Sequence, residues 1–258
     1  MQRTLILTAA ALSFATLALS STALARAIPD YIAAAVADSS RPDADKQRDA
    51  DRKPAETLAF AGVKPGDQVV ELAPGGGYYT RLLSLVVGPK GHVLAIMSPP
   101  KPDRPANAPP YGAAVKAIAA DPHYANVTVS EQNMYAFTVP AGAGNDLLWT
   151  SRNYHDFHNL TAGTIADVNR SVNTALKPGG TYFVLDHAAE AGSGARDTGT
   201  LHRIDKALVI KEAQAAGFEL KGESDLLANK ADAHTAKVFD ASIQDHTDQF
   251  MLRFRKKS

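Results

Sequence analysis

Residues Val69-Val70-Glu71-Leu72-Ala73-Pro74-Gly75-Gly76-Gly77-Tyr78-Tyr79 decide the fold. The run from Gln68 to Leu72 predicts a short buried strand, Gly75 to Gly77 a loop, and Tyr78 to Val87 a helix that stops at Gly88. Glycines lack Cβ atoms and let backbone N–H groups approach a ligand at the carboxyl end of a parallel strand. The amino end of the following helix adds a partial positive charge suited to a carboxylate or a phosphate. The spacing does not complete the dinucleotide fingerprint, because Thr80 stands at its third small position. No Gly-Lys-Ser/Thr follows, so the loop is not a Walker loop.

Working outward, Pro54 opens a helix with Leu58 and Phe60 as its apolar contacts, Gly62 ends it, and Val63-Lys64-Pro65-Gly66-Asp67 turns the chain into the strand. Beyond the loop, His92–Ile96, Val127–Val129, Asp146–Thr150 and Thr181–Leu185 read as further strands. Tyr111–Ala120 and Ile204–Ala216 read as helices, as does the stretch with the apolar stripe Ile165, Val168, Val172 and Leu176. Lys177-Pro178-Gly179-Gly180 reads as a turn before the fifth strand, and Phe218-Glu219-Leu220 begins the sixth. Gln249 to Arg255 sets Phe250, Leu252 and Phe254 against Met251, Arg253 and Arg255, the alternation of a strand with two unlike faces. Six prolines between Pro99 and Pro110 exclude regular helix or inner strand there and predict a stiff surface excursion. Strands alternating with helices give an α/β class built on a parallel sheet.

The amino end has a different character. Met1-Gln2-Arg3 is a positive start, Thr4 to Ser21 carries no charge, and Ala23-Leu24-Ala25 offers the small residues a signal peptidase reads. Residues 1–25 are thus expected to be a signal peptide cleaved after Ala25, leaving a periplasmic or secreted chain with no stable membrane insertion. Residues 26–60 are expected to form an amino-terminal helical segment, and 61–258 the main domain. Within the former, Ile28–Ala37 reads as a short helix, and the charge-dense stretch from Ser39 to Pro54 puts Asp45, Asp49 and Arg52 on one helical face. That face is either solvated or the underside of a lid over a ligand. The chain has no cysteine, which excludes disulfides, thiolate metal sites and a cysteine nucleophile. Lys plus Arg and Asp plus Glu each number 27, so no basic field argues for nucleic acid. The expected partner is a small-molecule substrate; the oligomeric state is not legible.

Glu71-x-Ala73-x-Gly75-x-Gly77 resembles the acidic-x-Gly-x-Gly-x-Gly motif of class I S-adenosylmethionine-dependent methyltransferases, with Ala73 in place of the first glycine. Leu176 to Gly180 resembles the turn before the fifth strand of that family, and Ala215-Ala216-Gly217-Phe218 its turn into the last two strands. More narrowly, Arg52-Lys53-Pro54, Ser151 to Asp156, Leu201 to Asp205 and Thr247 to Phe250 resemble a group of bacterial methyltransferases bearing signal peptides. The resemblance implies a Rossmann-like seven-stranded, mostly parallel sheet with an antiparallel last strand and helices on both faces. It implies S-adenosyl-L-methionine as cofactor, with Glu71, Ala73, Gly75, Gly76 and Gly77 at its amino and carboxylate end. Tyr78 or Tyr79 would then lie against the sulfonium by cation–π attraction.

Two positions depart from the family pattern. Met97 stands at the end of the second strand, where an acid binds the ribose hydroxyls, leaving Ser98 to accept one hydrogen bond. Asn133 sits near the place of the adenine-contacting aspartate. Methyl transfer is an in-line displacement, for which an enzyme supplies position and, for oxygen or nitrogen acceptors, a base. His155 is the preferred base, with Asp156 or Asp186 as its orienting partner and Tyr154 beside it. Arg152, Asp186, His187, His202 and Arg203 are the expected substrate-facing residues, Arg203 for an acidic group unless Asp205 or Asp186 pairs it. His187 and His202 with Asp156 offer the ligands of a divalent-metal site, but the sequence shows no tight ligand spacing and no metal is expected. The competing reading is a non-catalytic ligand-binding protein with the same fold and an altered pocket.

Overall fold

The computed structural model describes residues 27–100, 107, 110–140, 144–159 and 161–258. The expected signal peptide and most of the proline-rich excursion lie outside the described residues. The helices are α1 (Asp30–Ala37), α2 (Asp43–Lys46), α3 (Asp49–Arg52), α4 (Pro54–Ala61), α5 (Tyr78–Val87), α6 (Ala113–Ala120), α7 (Tyr154–Phe157), α8 (Ile165–Ala175) and α9 (Lys206–Ala215). The strands are β1 (Gln68–Leu72), β2 (His92–Met97), β3 (Val127–Glu131), β4 (Asn145–Ser151), β5 (Leu176–His187), β6 (Phe218–Ser224) and β7 (Gln249–Lys256).

All seven strands join one sheet in the order β3-β2-β1-β4-β5-β7-β6. The first five run parallel, and β7 is inserted antiparallel between β5 and β6. This is the seven-stranded, mostly parallel architecture that the resemblance implies. Alternate residues of each strand feed two cores. Val70, Leu72, Leu148, Tyr182, Val184 and Leu252 face α8 and α9. Val69, Leu147, Trp149, Phe183, Leu185 and Met251 face α1, α4 and α5. The amino-terminal segment therefore packs into the same core as the sheet through Ile32, Ala35 and Leu58. Among the described residues, no helix is long and apolar enough to cross a membrane.

Local chemistry explains the boundaries. Pro54 starts α4 and Gly62 (φ 80) ends it. Thr164 and Asp167 close a reciprocal capping box on α8. Two expectations change. Lys177 to Gly180 does not separate two elements. The pairing steps from Asn145↔Leu176 to Leu147↔Thr181, so the four residues bulge out inside β5. Gly179 supplies the left-handed turn (φ 72). A Cβ at Gly180 would lie 2.9 Å from the Lys177 carbonyl, so the bulge closes only over glycine. Leu176, counted in the helical stripe, accordingly belongs to the strand. The stretch from Ser39 to Pro54 is likewise two separate single turns, α2 and α3, and not one helix; Lys53 (φ 41) redirects the chain into α4.

Candidate functional site

The chain leaves β1 through three left-handed residues, Ala73 (φ 52), Gly75 (φ 57) and Gly77 (φ 80). A Cβ at Gly77 would lie 2.1 Å from Ile118 Cδ1, so that glycine is required by packing against α6. A Cβ at Gly75 or Gly76 would meet nothing within 4 Å. Those two glycines open onto a cleft of 190 Å³ whose polar walls include Asp45, Arg48, Arg52, Glu71, Arg152 and Asn153. A larger cavity of 420 Å³, lined by Lys64, Lys221, Arg253 and Arg255, lies near the start of β5 and the end of β7. It sits away from the carboxyl edge, where α/β sheets place their ligands.

Glu71 is 3 % exposed and accepts a hydrogen bond from Thr80 Oγ1 at 2.6 Å. Burial pushes its pKa up to about 7, against the opposing pull of the Thr80 bond. Asn153 Nδ2 donates to the Ala73 carbonyl at 2.9 Å and ties the end of β4 to the loop. Arg152 (φ 61) donates from Nε to Gln249 Oε1, while its buried Nη2 has no hydrogen-bond partner among the described residues. Burial lowers the pKa of this guanidinium. A buried donor of this kind suits an anionic ligand group.

The α2–α3 segment lies over this cleft. Arg41 forks onto Asp49 at 2.7 and 2.8 Å, and Tyr78 Oη donates to the same carboxylate at 2.6 Å. Arg81 reaches Asp45 at 2.9 Å. The Arg52 guanidinium sits 4.4 Å from the centre of the Tyr78 ring. Asp45 and Arg52 thus line the cleft, while Asp49 is engaged by Arg41 and Tyr78. Tyr78 and Tyr79 both line the cleft, and each also has a protein partner. The Tyr78 ring already carries a protein cation, and Tyr79 packs against Trp149 with ring centres 4.7 Å apart.

Beyond Arg152 the strand ends form a histidine-rich wall. His155, only 2 % exposed, directs Nδ1 at Asp186 Oδ1 (2.8 Å), and its backbone N–H donates to Asp186 Oδ2 (2.8 Å). Burial opposes the charged imidazolium, but the charge and hydrogen bond of Asp186, then Asp156, outweigh it and raise the pKa of His155. Asp186 is held low although burial works the other way, because His155 faces it. Asp156 Oδ1 is 3.4 Å from both His155 Nε2 and His202 Nδ1. His202 is held at φ 57, its ring edge-on to His155 at 5.4 Å. His187 pairs through Nδ1 with Thr247 Oγ1 at 2.7 Å. Burial pushes its pKa down to about 3 despite Asp186, with Arg152 adding to the fall, so the ring is neutral at ordinary pH.

The remaining candidates are not brought to the wall. Tyr154 is fully buried, its hydroxyl donating to Glu212 (2.9 Å) and accepting from Asn169 (2.8 Å), so it serves the core under α8 and α9. Arg203 is also fully buried. Its partners are Asp232 (2.8 Å) and the carbonyls of Ala188 and Ala236, not Asp205, Asp186 or a substrate. Asn133 is exposed and caps its own turn by accepting from the Tyr135 N–H. Met97 is buried beside Ala95 and Val115, where a Cβ on Gly112 would lie 2.3 Å from its Cε. Ser98 follows it, half-buried. Arg41 is the participant that motif reasoning missed; the density of charge between Ser39 and Pro54 was its one signal.

No protein-family model matches this chain, and no curated protein matches it either. Solved structures do. A SAM-dependent methyltransferase from Aquifex aeolicus superposes with a TM-score of 0.57 at 16 % identity, over 83 % of this chain and 98 % of that one. A second from Mesorhizobium loti gives 0.54 at 17 % identity, over 78 % and 95 %. The [4+2]-cyclase SpnF gives 0.57 at 17 % identity, over 83 % and 81 %. At such identities the shared property is the fold: this chain has the fold of the class I methyltransferases. The cyclase among its neighbours means that the fold alone does not name a reaction.

Proposed function

We propose that this chain is an exported methyltransferase that takes S-adenosyl-L-methionine and modifies a small molecule. The observation that carries the reading is the open backbone at Gly75 and Gly76, at the carboxyl end of β1, beside the unpartnered Nη2 of Arg152. The residues present fit the methionine end of the cofactor. Its carboxylate would meet Arg152 and the loop N–H groups, with Glu71 below. When bound, the cofactor supplies an electrophilic methyl group on sulfur. His155, aligned by Asp186, takes the acceptor's proton at Nε2, and the α2–α3 segment screens the cleft from water.

Calorimetry on the mature chain tests the reading. Saturable heat with S-adenosylmethionine is expected, and Gly75→Val should remove it by filling the open side of the loop. No heat at about 1 mM ligand overturns the proposal. The export component rests on Met1–Ala25, and a native chain beginning at Arg26 is its expected mark.

One observation favours a second reading, a binding protein without turnover. The position of the ribose-binding acid is taken by buried Met97, whose thioether offers no strong acceptor. Losing a charge-assisted bond there costs about 1.5–3 kcal/mol of ligand affinity. Tight binding of the cofactor with no methyl transferred to any acceptor would select this reading over the first.

A further inference from the structure

We infer that His155, Asp156 and His202 bind one divalent first-row transition-metal ion. Their ligand atoms all lie within 4.8 Å of one another, and Asp156 Oδ1 is 3.4 Å from each imidazole nitrogen. Both separations are too long for good hydrogen bonds, which run to about 3.2 Å. They match the edge of a tetrahedron around an ion with metal–ligand bonds near 2.1 Å, which is about 3.4 Å. The donor set, two imidazoles and one carboxylate, is that of catalytic zinc and of non-haem iron, manganese or cobalt sites.

The surroundings are arranged as such a site needs. Asp186 is fully buried and holds His155 at both Nδ1 and the backbone N–H, so Nε2 is left to face Asp156. A carboxylate on the far nitrogen of a ligating histidine fixes its ring and raises its basicity. His202 keeps a left-handed backbone (φ 57), a conformation histidine adopts more readily than most residues, and its ring packs edge-on against Phe239 at 5.0 Å. Asp156 and His202 are partly exposed, so the fourth position opens outward to water or a substrate. His187 stands apart, its Nδ1 engaged by Thr247. This inference does not rest on the methyl-transfer reading. His155 Nε2 would serve as the base only in the metal-free protein; with an ion held there, polarising the acceptor would fall to the ion.

The test uses untagged mature protein, stripped with a chelator and titrated with zinc chloride by calorimetry and cobalt chloride by visible absorption. One ion per chain is expected, with cobalt bands of four- or five-coordinate intensity. Asp156→Ala and His202→Asn should each weaken binding on the order of 100-fold. Asparagine is chosen at 202 because it tolerates the left-handed backbone. Both side chains are partly exposed, and unchanged metal-free thermal unfolding confirms that the variants fold. No saturable zinc binding, a loss below about tenfold in either variant, or cobalt spectra of the six-coordinate aqua type only would overturn the inference.

Discussion

Glu71 shows how one side chain can make the whole domain sensitive to pH. Its native pKa of about 7 lies above the unfolded value of 4.5, so the folded state holds the proton more tightly. The sign follows: stability from this group is fully present below the unfolded pKa and is lost as pH rises through the native one. Glu71→Gln should flatten that fall and leave the protein more stable at pH 8 by roughly 3 kcal/mol. Urea unfolding across the interval measures it, and parallel profiles for parent and variant would contradict the assignment. The acid at the end of β1 was legible from the run Val69 to Gly77. Its partner was not: Thr80 stood out only for spoiling a dinucleotide fingerprint, yet its hydroxyl is what Glu71 receives.

At the level of elements, punctuation by proline and glycine made β1 and α5 readable to the residue. Where glycine bends a strand without ending it, as at Gly179 and Gly180, the same letters mislead, because only pairing with β4 distinguishes a bulge from a turn. The α2–α3 segment was half legible: the helical spacing of Asp45, Asp49 and Arg52 marked a face, but not what it covers. Four residues apart in sequence, Asp45 and Asp49 reach separate arginines. Asp49→Ala would strip Arg41, whose side chain is wholly buried, of its carboxylate and release the Tyr78 hydroxyl. A loss of about 3 kcal/mol is expected, toward the low end for a broken buried pair because Asp49 retains some contact with water. Faster amide exchange across α2 and α3 should accompany it, and exchange as slow as in the parent would show that the clamp is incidental.

Across the whole molecule, the pair Arg203–Asp232 couples regions that sequence reasoning could not connect. Asp232 receives Arg203 and also the N–H groups of His234 and Asp248, immediately before β7. Arg203 looked like a substrate contact because its partner lies 29 residues away with no periodic signal. Asp232→Ala should lower global stability by about 3–5 kcal/mol, since it leaves a buried guanidinium uncompensated. Chemical denaturation measures this, and a change under 1 kcal/mol (roughly the worth of an exposed pair) would rule it out. The position of β7 has one more consequence. The strand nearest the end of the chain is the one that joins β5 to β6, so neither can complete its pairing until Gln249–Lys256 arrives. Without β7, β5 keeps an open edge and the domain has no finished native state to lock into. Contacts far apart in sequence thus close last, and the sheet can fold only as a whole.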